Sequence, residues 1–304
     1  MISIVCPIYN ETESINKFVK EILKLTVIRQ SKYEIIFIND GSTDDSLNTL
    51  LKIKESNNNV RIISLSRNFG KEAALTAGLN VSKGDAVIPI DVDLQDPPEV
   101  IEQLISKWKE GFQIVQAKRV DRSKDSFLKR ITANLFYKIH NKLADHKIPA
   151  NVGDFRLMDR KVVNEINKLP ERQRFMKGLF SWIGFNTATV TYTRPERKCG
   201  ESCFSLWRLW NFAIEGITSF STIPLRIWTY IGLVIAAISF FYGIFIIFIT
   251  LFFGVDVPGY PSLIVMILFL GGVQLIGIGV LGEYIGRIYL ETKARPLYIV
   301  EKEY

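Results

Sequence analysis

Cysteine and histidine are scarce in this chain, which has three Cys and two His among 304 residues. Cys199 and Cys203 are four residues apart, a spacing that is found in metal sites. Neither His140 nor His146 lies near them in the sequence. The pattern therefore argues against a zinc site, and it favours free thiols in a reducing compartment.

Other features that would indicate different classes of protein are also absent. The chain has no internal repeat and no low-complexity tract. Residues 1–6 have no basic region and no small-residue cleavage site, so we expect the first strand of a domain there and not a signal peptide. The basic segment 118–147 lacks the interleaved aromatic residues of RNA-binding motifs. We expect this segment to face anionic lipid or a phosphate ligand, and no nucleic acid.

Charged residues are missing from two long stretches, 227–255 and 257–282. Each stretch exceeds the roughly 20 residues that span a bilayer. A buried pair of core helices is the alternative, but the length of both runs favours two membrane spans joined by a short turn. Basic residues flank the spans and are missing from the turn, so the positive-inside rule places both termini in the cytoplasm. The flanking basic residues are Arg226, Arg287, Lys293 and Arg295.

Small residues in and just after the second uncharged stretch permit close packing of helices, either between the two spans or in a homo-oligomer. They are Gly271, Gly272, Gly277, Gly279, Gly282 and Gly286.

The first part of the chain alternates apolar, β-branched runs with amphipathic segments. This alternation predicts a mostly parallel sheet with helices on both faces. We expect strands at 2–7, 33–39, 60–65, 86–90, 112–117 and 187–193. We expect helices at about 11–25, 46–55, 71–81, 98–110, 126–144 and 162–169, and an interfacial helix within 204–220.

Two carboxylates, Asp91 and Asp93, follow the predicted strand at 86–90. Residues i and i+2 of an extended chain point the same way, so both side chains can converge at the carboxyl end of the sheet, where open α/β folds bind ligands. Hard oxygen donors suit Mg²⁺ or Mn²⁺, and such a cation suits a diphosphate. The alternative is a strand that ends in solvated acids.

Six motifs follow one another along the chain: Val5-Cys6-Pro7-Ile8-Tyr9-Asn10-Glu11, Asn39-Asp40-Gly41-Ser42-Thr43-Asp44, Arg67-Asn68-Phe69-Gly70-Lys71-Glu72-Ala73-Ala74, Asp91-Val92-Asp93, Gly153-Asp154-Phe155-Arg156-Leu157 and Trp207-Arg208-Leu209-Trp210-Asn211-Phe212. In this order they resemble the motifs of the inverting GT-A glycosyltransferases of family 2, and within that family those of the polyisoprenyl-phosphate glycosyltransferases. The resemblance covers nearly the whole chain.

This resemblance implies a Rossmann-like GT-A domain followed by interfacial helices and two transmembrane helices. We expect a cytoplasmic catalytic domain over 1–200, a juxtamembrane amphipathic helix region over 201–224, a transmembrane hairpin over 225–290 and a cytoplasmic tail over 291–304. The implied location is the bacterial inner membrane.

The resemblance also implies a nucleotide-sugar site with a bound Mg²⁺ or Mn²⁺. Residues implied to contact the nucleotide-sugar are Pro7, Tyr9, Glu11, Asp40, Asp91 and Arg197. Residues implied to hold the cation are Asp93, Gln95 and Asp91. The position of the family's catalytic aspartate is occupied by Asp154, which is implied to act as a base or as an orienting group, and Asp93 is implied to act with it through the cation.

The acceptor implied by the resemblance is a polyprenyl phosphate. A phosphate monoester has a second pKa of about 6, so it is largely dianionic at neutral pH and needs positioning more than deprotonation. Arg119 matches the phosphate-binding arginine of the family, and Arg130 and Asn134 lie one turn apart on the helix predicted next. In the loop 194–203 the chain departs from the family pattern, since Cys203 stands where relatives commonly have lysine. Cysteine cannot supply that charge, which leaves Arg197 or Lys198 for the donor phosphate.

The predicted function is therefore transfer of a sugar to undecaprenyl or another polyprenyl phosphate, with inversion, for cell-envelope or O-antigen glycosylation. Glucose from UDP-glucose is the implied donor. The alternatives are the same chemistry with GDP-mannose or another nucleotide-sugar, and a non-catalytic membrane scaffold or translocator of lipid-linked sugars.

Overall fold

The computed structural model describes residues 1–120, 149, 151–172, 174–193, 223–253 and 259–304. The strands are Ile2–Ile8 (β1), Tyr33–Asn39 (β2), Val60–Leu65 (β3), Ala86–Pro89 (β4), Ile114–Arg119 (β5), Val152–Asp159 (β6), Thr187–Tyr192 (β7) and Val300–Glu303 (β8). The helices are Thr12–Lys24 (α1), Thr26–Gln30 (α2), Ser46–Ser56 (α3), Lys71–Val81 (α4), Val100–Lys109 (α5), Arg160–Lys168 (α6), Met176–Trp182 (α7), Ile223–Phe253 (α8) and Tyr260–Thr292 (α9). The helices predicted at 126–144 and 204–220 lie outside the described residues.

All eight strands form one sheet in the order β7-β5-β6-β4-β1-β2-β3-β8. Its centre, β4-β1-β2-β3, is parallel as the sequence predicts. The flanks are mixed, because β6 runs antiparallel to both β4 and β5, and β8 runs antiparallel to β3. The expectation of a mostly parallel sheet is therefore corrected to a mixed sheet with a parallel centre.

Helices cover both faces of the sheet, as predicted, and the alternation of β1 shows why. Ile4 and Cys6 belong to the buried cluster that includes Phe18 of α1, whereas Val5 packs on the opposite face with Ala74 of α4. Neighbouring strand residues point to opposite faces, so a fully apolar strand feeds two cores. Each large side chain buried in these layers stabilises the fold by roughly 1.5–3 kcal/mol.

Small residues let α4 approach the sheet closely. A Cβ built on Gly78 would lie 2.2 Å from Cγ1 of Val5, so no larger residue fits without a shift of the helix. This contact positions α4 directly behind β1, and its N-terminal turn therefore reaches the carboxyl edge of the sheet.

The end of the chain is not a separate tail. The sequence predicts a tail over 291–304, but Val300–Glu303 forms β8 and pairs with the edge strand β3. Tyr304 extends this pairing through two backbone hydrogen bonds with Ile62, of 2.9 and 3.2 Å. The segment after α9 therefore belongs to the sheet of the first domain.

The two uncharged stretches form α8 and α9, which have 31 and 33 residues. Within the described residues one helical stretch, Phe269–Thr292 of α9, is both long and apolar enough to cross a bilayer. The apolar part of α8, Tyr230–Ile246, is shorter than such a span. Most described side chains of both helices are exposed.

Candidate active site

An open cleft of about 330 Å³ lies at the carboxyl ends of β1, β2 and β4. Six residues that the sequence analysis assigns to the nucleotide-sugar or the cation line it together: Pro7, Tyr9, Glu11, Asp40, Asp91 and Asp93. The other lining residues include Asn68, Gly70 and Lys71 from the segment that leads into α4. Sequence segments that are up to 86 residues apart thus meet at one edge of the sheet, where α/β folds bind ligands.

Asp40 holds the wall of this cleft in place. It is 3% exposed, and its two carboxylate oxygens accept the backbone N–H groups of Phe69 and Gly70 at 2.7 and 2.9 Å. The next residue, Gly41, has a φ of 64°, and a Cβ there would lie 2.4 Å from the carbonyl carbon of Arg67. A carboxylate has about four acceptor positions, so Asp40 keeps capacity for a ligand donor beside this anchoring role.

The two carboxylates after β4 lie in a turn, and not at the end of an extended strand. β4 ends at Pro89, Val92 and Asp93 form a turn, and Leu94 has a φ of 56°. Asp91 and Asp93 are therefore not brought together by the alternation of an extended strand, as was predicted. The turn nevertheless places both side chains in the lining of the cleft. Oδ1 of Asp93 accepts the backbone N–H of Gln95 at 3.0 Å, which fixes the turn.

Gln95, which was predicted to hold the cation, is not brought into the lining of this cleft. It is only 8% exposed, and its Nε2 atom has no hydrogen-bond partner among the described residues. Of the three residues predicted to hold the cation, Asp91 and Asp93 therefore line the cleft and Gln95 does not.

Lys71, at the start of α4, joins two of the predicted site residues. Its Nζ atom lies 2.7 Å from Oδ2 of Asp91 and 3.1 Å from Oδ2 of Asp154. Asp154 comes from β6, so the ammonium group connects the turn after β4 with the neighbouring strand. Lys71, Asp91 and Asp154 also line a small cavity that adjoins the cleft, together with Phe155.

The charges around Asp154 determine its protonation. Burial by itself would raise its pKa, but Lys71, Lys177 and Arg156 outweigh burial and lower it. The pKa of Lys71 is raised, because its two carboxylate partners outweigh the effect of burial. Asp154 is therefore an anion and Lys71 a cation throughout the neutral range.

Glu72, the neighbour of Lys71, has the opposite behaviour. Burial, followed by the charge of Asp154, raises its pKa to about 8. Its Oε2 atom accepts the backbone N–H of Met176 at 3.3 Å. At neutral pH the ionised carboxylate of Asp154 thus lies close enough to act on a carboxyl group, that of Glu72, which keeps its proton.

The predicted acceptor-phosphate residues are placed only in part. Arg119 is the last residue of β5, and its backbone N–H donates to the carbonyl of Asn151 at 3.1 Å. Arg119 does not line the cleft. Arg130, Asn134, Arg197, Lys198 and Cys203 lie outside the described residues, so their predicted roles stay predictions.

The side chains of the cleft determine whether a divalent cation fits there. No group of three or more His, Cys, Asp or Glu residues in the described part of the chain is arranged to hold a metal ion. Mg²⁺ needs fewer protein donors when a substrate diphosphate is present, because one or two carboxylates, waters and phosphate oxygens complete its shell. Asp91 and Asp93 fit that role, and a cation bound through Oδ2 of Asp91 would displace Lys71 from that atom.

The sequence analysis missed Lys71 and Glu72 as site residues. Both lie in the motif Arg67–Ala74, which contributed to the family resemblance without any role being assigned to its members. Helix α4 begins at Lys71 immediately behind the cleft, and that position depends on packing between α4 and β1. The sequence motif was the available signal, but its contacts are with residues 20 and 83 positions away.

Comparison with known proteins identifies the family of the chain. Residues 3–166 match Glycosyl transferase family 2, and residues 223–288 match the GtrB C-terminal hairpin. A bactoprenol glucosyl transferase of Shigella phage SfV is 59% identical and covers 99% of this chain and 98% of its own. A prophage bactoprenol glucosyl transferase homolog of Escherichia coli (strain K12) is 57% identical, covering 99% of this chain and 98% of its own.

Solved structures are more distant. A glucosyl-3-phosphoglycerate synthase of M. tuberculosis covers 72% of this chain and 78% of its own, at 22% identity and a TM-score of 0.48. The mixed sheet with helices on both faces is the GT-A, Rossmann-like architecture that the resemblance implied. The family match spans more than half of the chain and the relatives align over almost all of it. The chain is a glycosyltransferase, and it belongs to glycosyl transferase family 2.

Proposed function

We propose that this protein transfers glucose from a nucleotide-sugar, UDP-glucose, to undecaprenyl or another polyprenyl phosphate, with inversion at the anomeric carbon. The observation that carries the proposal is the cleft in which Asp40, Asp91 and Asp93 meet beside the Lys71–Asp154 pair. The names of the relatives that align over nearly the whole chain support glucose and a bactoprenol acceptor.

The cleft suits a nucleotide diphosphate that carries a sugar. Tyr9 is 47% exposed and offers a ring to the base, while Glu11 and Asp40 supply acceptors for base or ribose groups. A divalent cation held by Asp91 and Asp93 would neutralise charge that develops on the departing diphosphate. Lys71 then carries its positive charge beside the same phosphates.

Asp154 acts in this proposal as an orienting anion and not as a proton acceptor. Its lowered pKa makes it a weak base, and an acceptor phosphate that is already dianionic needs none. Asp154 holds Lys71, and Lys71 carries its charge beside the donor phosphates. Positioning of the two reactants then accounts for the rate.

We further propose that α8 and α9 form a two-span membrane hairpin that keeps the catalytic domain at the cytoplasmic face. At 1.5 Å per residue, each helix is longer than the roughly 30 Å hydrocarbon core. The exposed side chains of α9 and the match to the GtrB C-terminal hairpin support this arrangement. The interfacial helix predicted within 204–220, and the loop 194–203 with Arg197 or Lys198 at the donor phosphate, are further parts of this proposal.

The test is a transfer assay with the full-length protein in detergent. Undecaprenyl phosphate and Mg²⁺ or Mn²⁺ are mixed with UDP-glucose, UDP-N-acetylglucosamine or GDP-mannose in turn, and the sugar-lipid is measured by mass spectrometry. We expect product from UDP-glucose alone, and loss of product in Asp93→Asn.

The matched control is Asp45→Asn. Asp45 is an exposed aspartate at the start of α3 that does not line the cleft, so its loss should leave the rate unchanged. Product from GDP-mannose in place of UDP-glucose would contradict the proposed donor. Absence of product from every donor, with a folded protein, would contradict the proposed activity.

A further inference from the structure

A second cleft, of about 260 Å³, shares Gly70 and Lys71 with the cleft of the candidate active site (the donor cleft). It is formed where the N-terminal turn of α4 meets Arg172, Arg174 and Leu297, which follows α9. Its lining residues are Phe69, Gly70, Lys71, Glu72, Ala73, Arg172, Arg174 and Leu297. Three cationic side chains therefore surround one helix start.

Arg174 is the unusual member of this group. It is 8% exposed, and its Nε and Nη2 atoms donate to the backbone carbonyls of Glu171 and Leu169 at 3.2 and 2.7 Å. Its Nη1 atom is buried and has no hydrogen-bond partner among the described residues. Arg174 forms no ion pair with a described carboxylate, although the charge of Glu171 acts on it. A buried guanidinium with an unused donor is costly unless an anion compensates it.

The helix start adds donors to the same cleft. Gly70 is the N-cap of α4 and no side chain caps the helix, so no cap side chain competes for the N–H groups of the first turn. An uncapped helix start carries a partial positive charge and binds anions through these N–H groups. The buried Nη1 of Arg174 is an observation independent of the helix, and both features favour an anion in this cleft.

The acid in the cleft does not oppose an anion at neutral pH. Glu72 lines it, but burial raises its pKa to about 8, so the carboxyl group keeps its proton and can donate a hydrogen bond. Planar guanidinium groups bind phosphate oxygens in pairs, and they do so better than they bind spherical anions.

We propose that this cleft is a phosphate-binding site, separate from the donor cleft, in which Arg174, Arg172 and the start of α4 bind one phosphate group. Its position indicates where the phosphate comes from. Arg172 donates its backbone N–H to Glu291 of α9 and its Nε to the carbonyl of Arg295, both at 2.8 Å. The site therefore lies against the end of a helix that we place in the membrane, where lipid headgroups and free phosphate are both within reach.

The site links the membrane end of α9 to the catalytic residues. Lys71 lines both clefts, and its Nζ contacts Asp91 and Asp154. A phosphate bound beside Arg174 is thus adjacent to the residue that positions the donor cleft. The binding itself does not depend on which sugar the protein transfers.

The test uses the full chain in detergent and two variants. Arg174→Lys keeps the charge but loses the forked donors, and Ala73→Glu places a carboxylate in the cleft while leaving the arginines intact. Arg29→Lys is the matched control, because Arg29 also donates to a backbone carbonyl, that of Leu23 at 3.0 Å, and lies far from the cleft. Thermal unfolding of each variant verifies that it is folded.

The first measurement is calorimetric titration with inorganic phosphate. We expect Arg174→Lys and Ala73→Glu to weaken one phosphate-binding site by about tenfold or more, as expected for a lost charge-assisted hydrogen bond, and Arg29→Lys to leave it unchanged. Phosphate that binds in the donor cleft should appear in the titration as a second binding component, and its affinity should be the same in all variants.

The second measurement is native mass spectrometry after extraction from nanodiscs of phosphatidylglycerol and phosphatidylcholine. One retained phosphatidylglycerol that both variants lose identifies a lipid headgroup as the ligand. Phosphate binding that both variants weaken, without retained lipid, identifies a soluble phosphate. If both folded variants bind phosphate and lipid as the unmodified protein does, the proposal is wrong. If only one variant folds, its result decides in the same way.

Discussion

Lys71 and Asp91 form an ion pair of 2.7 Å, so the first carboxylate of the Asp91-Val92-Asp93 motif already has a cationic partner. The same ammonium group lies 3.1 Å from Asp154. A divalent cation bound through this oxygen of Asp91 would therefore compete with Lys71. The motif that we propose as the metal site thus shares one carboxylate oxygen with a fixed positive charge.

Replacement of Lys71 by glutamine should have two opposite effects. Without the ammonium group Asp91 is available to the cation, so the apparent Mn²⁺ affinity should rise. Asp154 loses its main stabilising charge, and the donor phosphates lose a cation, so kcat should fall by about 10²-fold or more. Titration of activity with Mn²⁺, together with calorimetry of Mn²⁺ binding, measures both effects. The same substitution at exposed Lys161 is the control, and a parallel loss of metal affinity and kcat would contradict the competition.

Asp154 allows a prediction about pH, because its pKa is lowered by Lys71 and its cationic neighbours despite burial. A depressed acid stays ionised and contributes stability above its unfolded pKa of about 3.8, and this contribution is lost only at lower pH. The acid limb of the rate profile should therefore follow the second pKa of the acceptor phosphate, about 6.

A polyprenyl phosphonate, whose second pKa is higher, should move this acid limb to higher pH. Asp154→Asn should lower kcat by about 10²-fold and leave the position of the limb unchanged, since the titrating group is on the substrate. A limb that stays in place with the phosphonate would show that an enzyme group titrates there and would refute the orienting role of Asp154.

How far the sequence predicts this site depends on whether a contact is local. Pro7 lies near the end of β1, and Tyr9, Asp40 and Asp91 each follow a strand. The ends of neighbouring parallel strands meet at one edge, so the convergence of these residues was predictable. The turn at Leu94 was not, because a positive φ at a leucine is set by tertiary packing.

Contacts that depend on the packing of distant segments against each other could not be predicted from the sequence patterns. The contact between Lys71 and Asp154 requires α4 to pack behind β1 and β6 to insert between β4 and β5. The strand β8 pairs with residues more than 230 positions earlier, and its short polar sequence, Val-Glu-Lys-Glu, has no strand signal of its own.

Glu72 should make the stability of the protein depend on pH in the opposite sense from Asp154. Its folded pKa is raised from 4.5 to about 8, first by burial and then by Asp154, while Lys71 and Lys177 lower it. The folded state binds this proton more tightly than the unfolded state, so stability falls as pH rises from about 4.5 to about 8.

Glu72→Gln keeps an acceptor for the N–H of Met176 and cannot ionise. Above pH 8 we expect the free energy of unfolding of the variant to exceed that of the unmodified protein by roughly 1 kcal/mol or more, which raises its Tm. Near pH 5 we expect the two proteins to have the same Tm. Thermal unfolding across pH 5 to 9 measures this difference. Parallel pH curves for the two proteins would refute the raised pKa.

The pairing of β8 with β3 gives a prediction about the last six residues. Deletion of residues 299–304 removes the backbone bonds of Tyr304 to Ile62 and of Ser66 to Ile299, and it leaves β3 as an open edge. Each backbone hydrogen bond contributes about 1 kcal/mol, so the deletion should cost about 2–4 kcal/mol and increase aggregation.

Glu303→Gln separates this backbone contribution from the side-chain pair. Glu303 lies 2.6 Å from Arg61, but its side chain is half exposed, and an exposed pair is worth at most about 1 kcal/mol. We therefore expect the point variant to keep nearly the Tm of the unmodified protein while the deletion lowers it. Equal Tm values for the deletion and the unmodified chain would mean that β8 adds no stability. The strand would then serve only to hold the end of α9 near the catalytic domain.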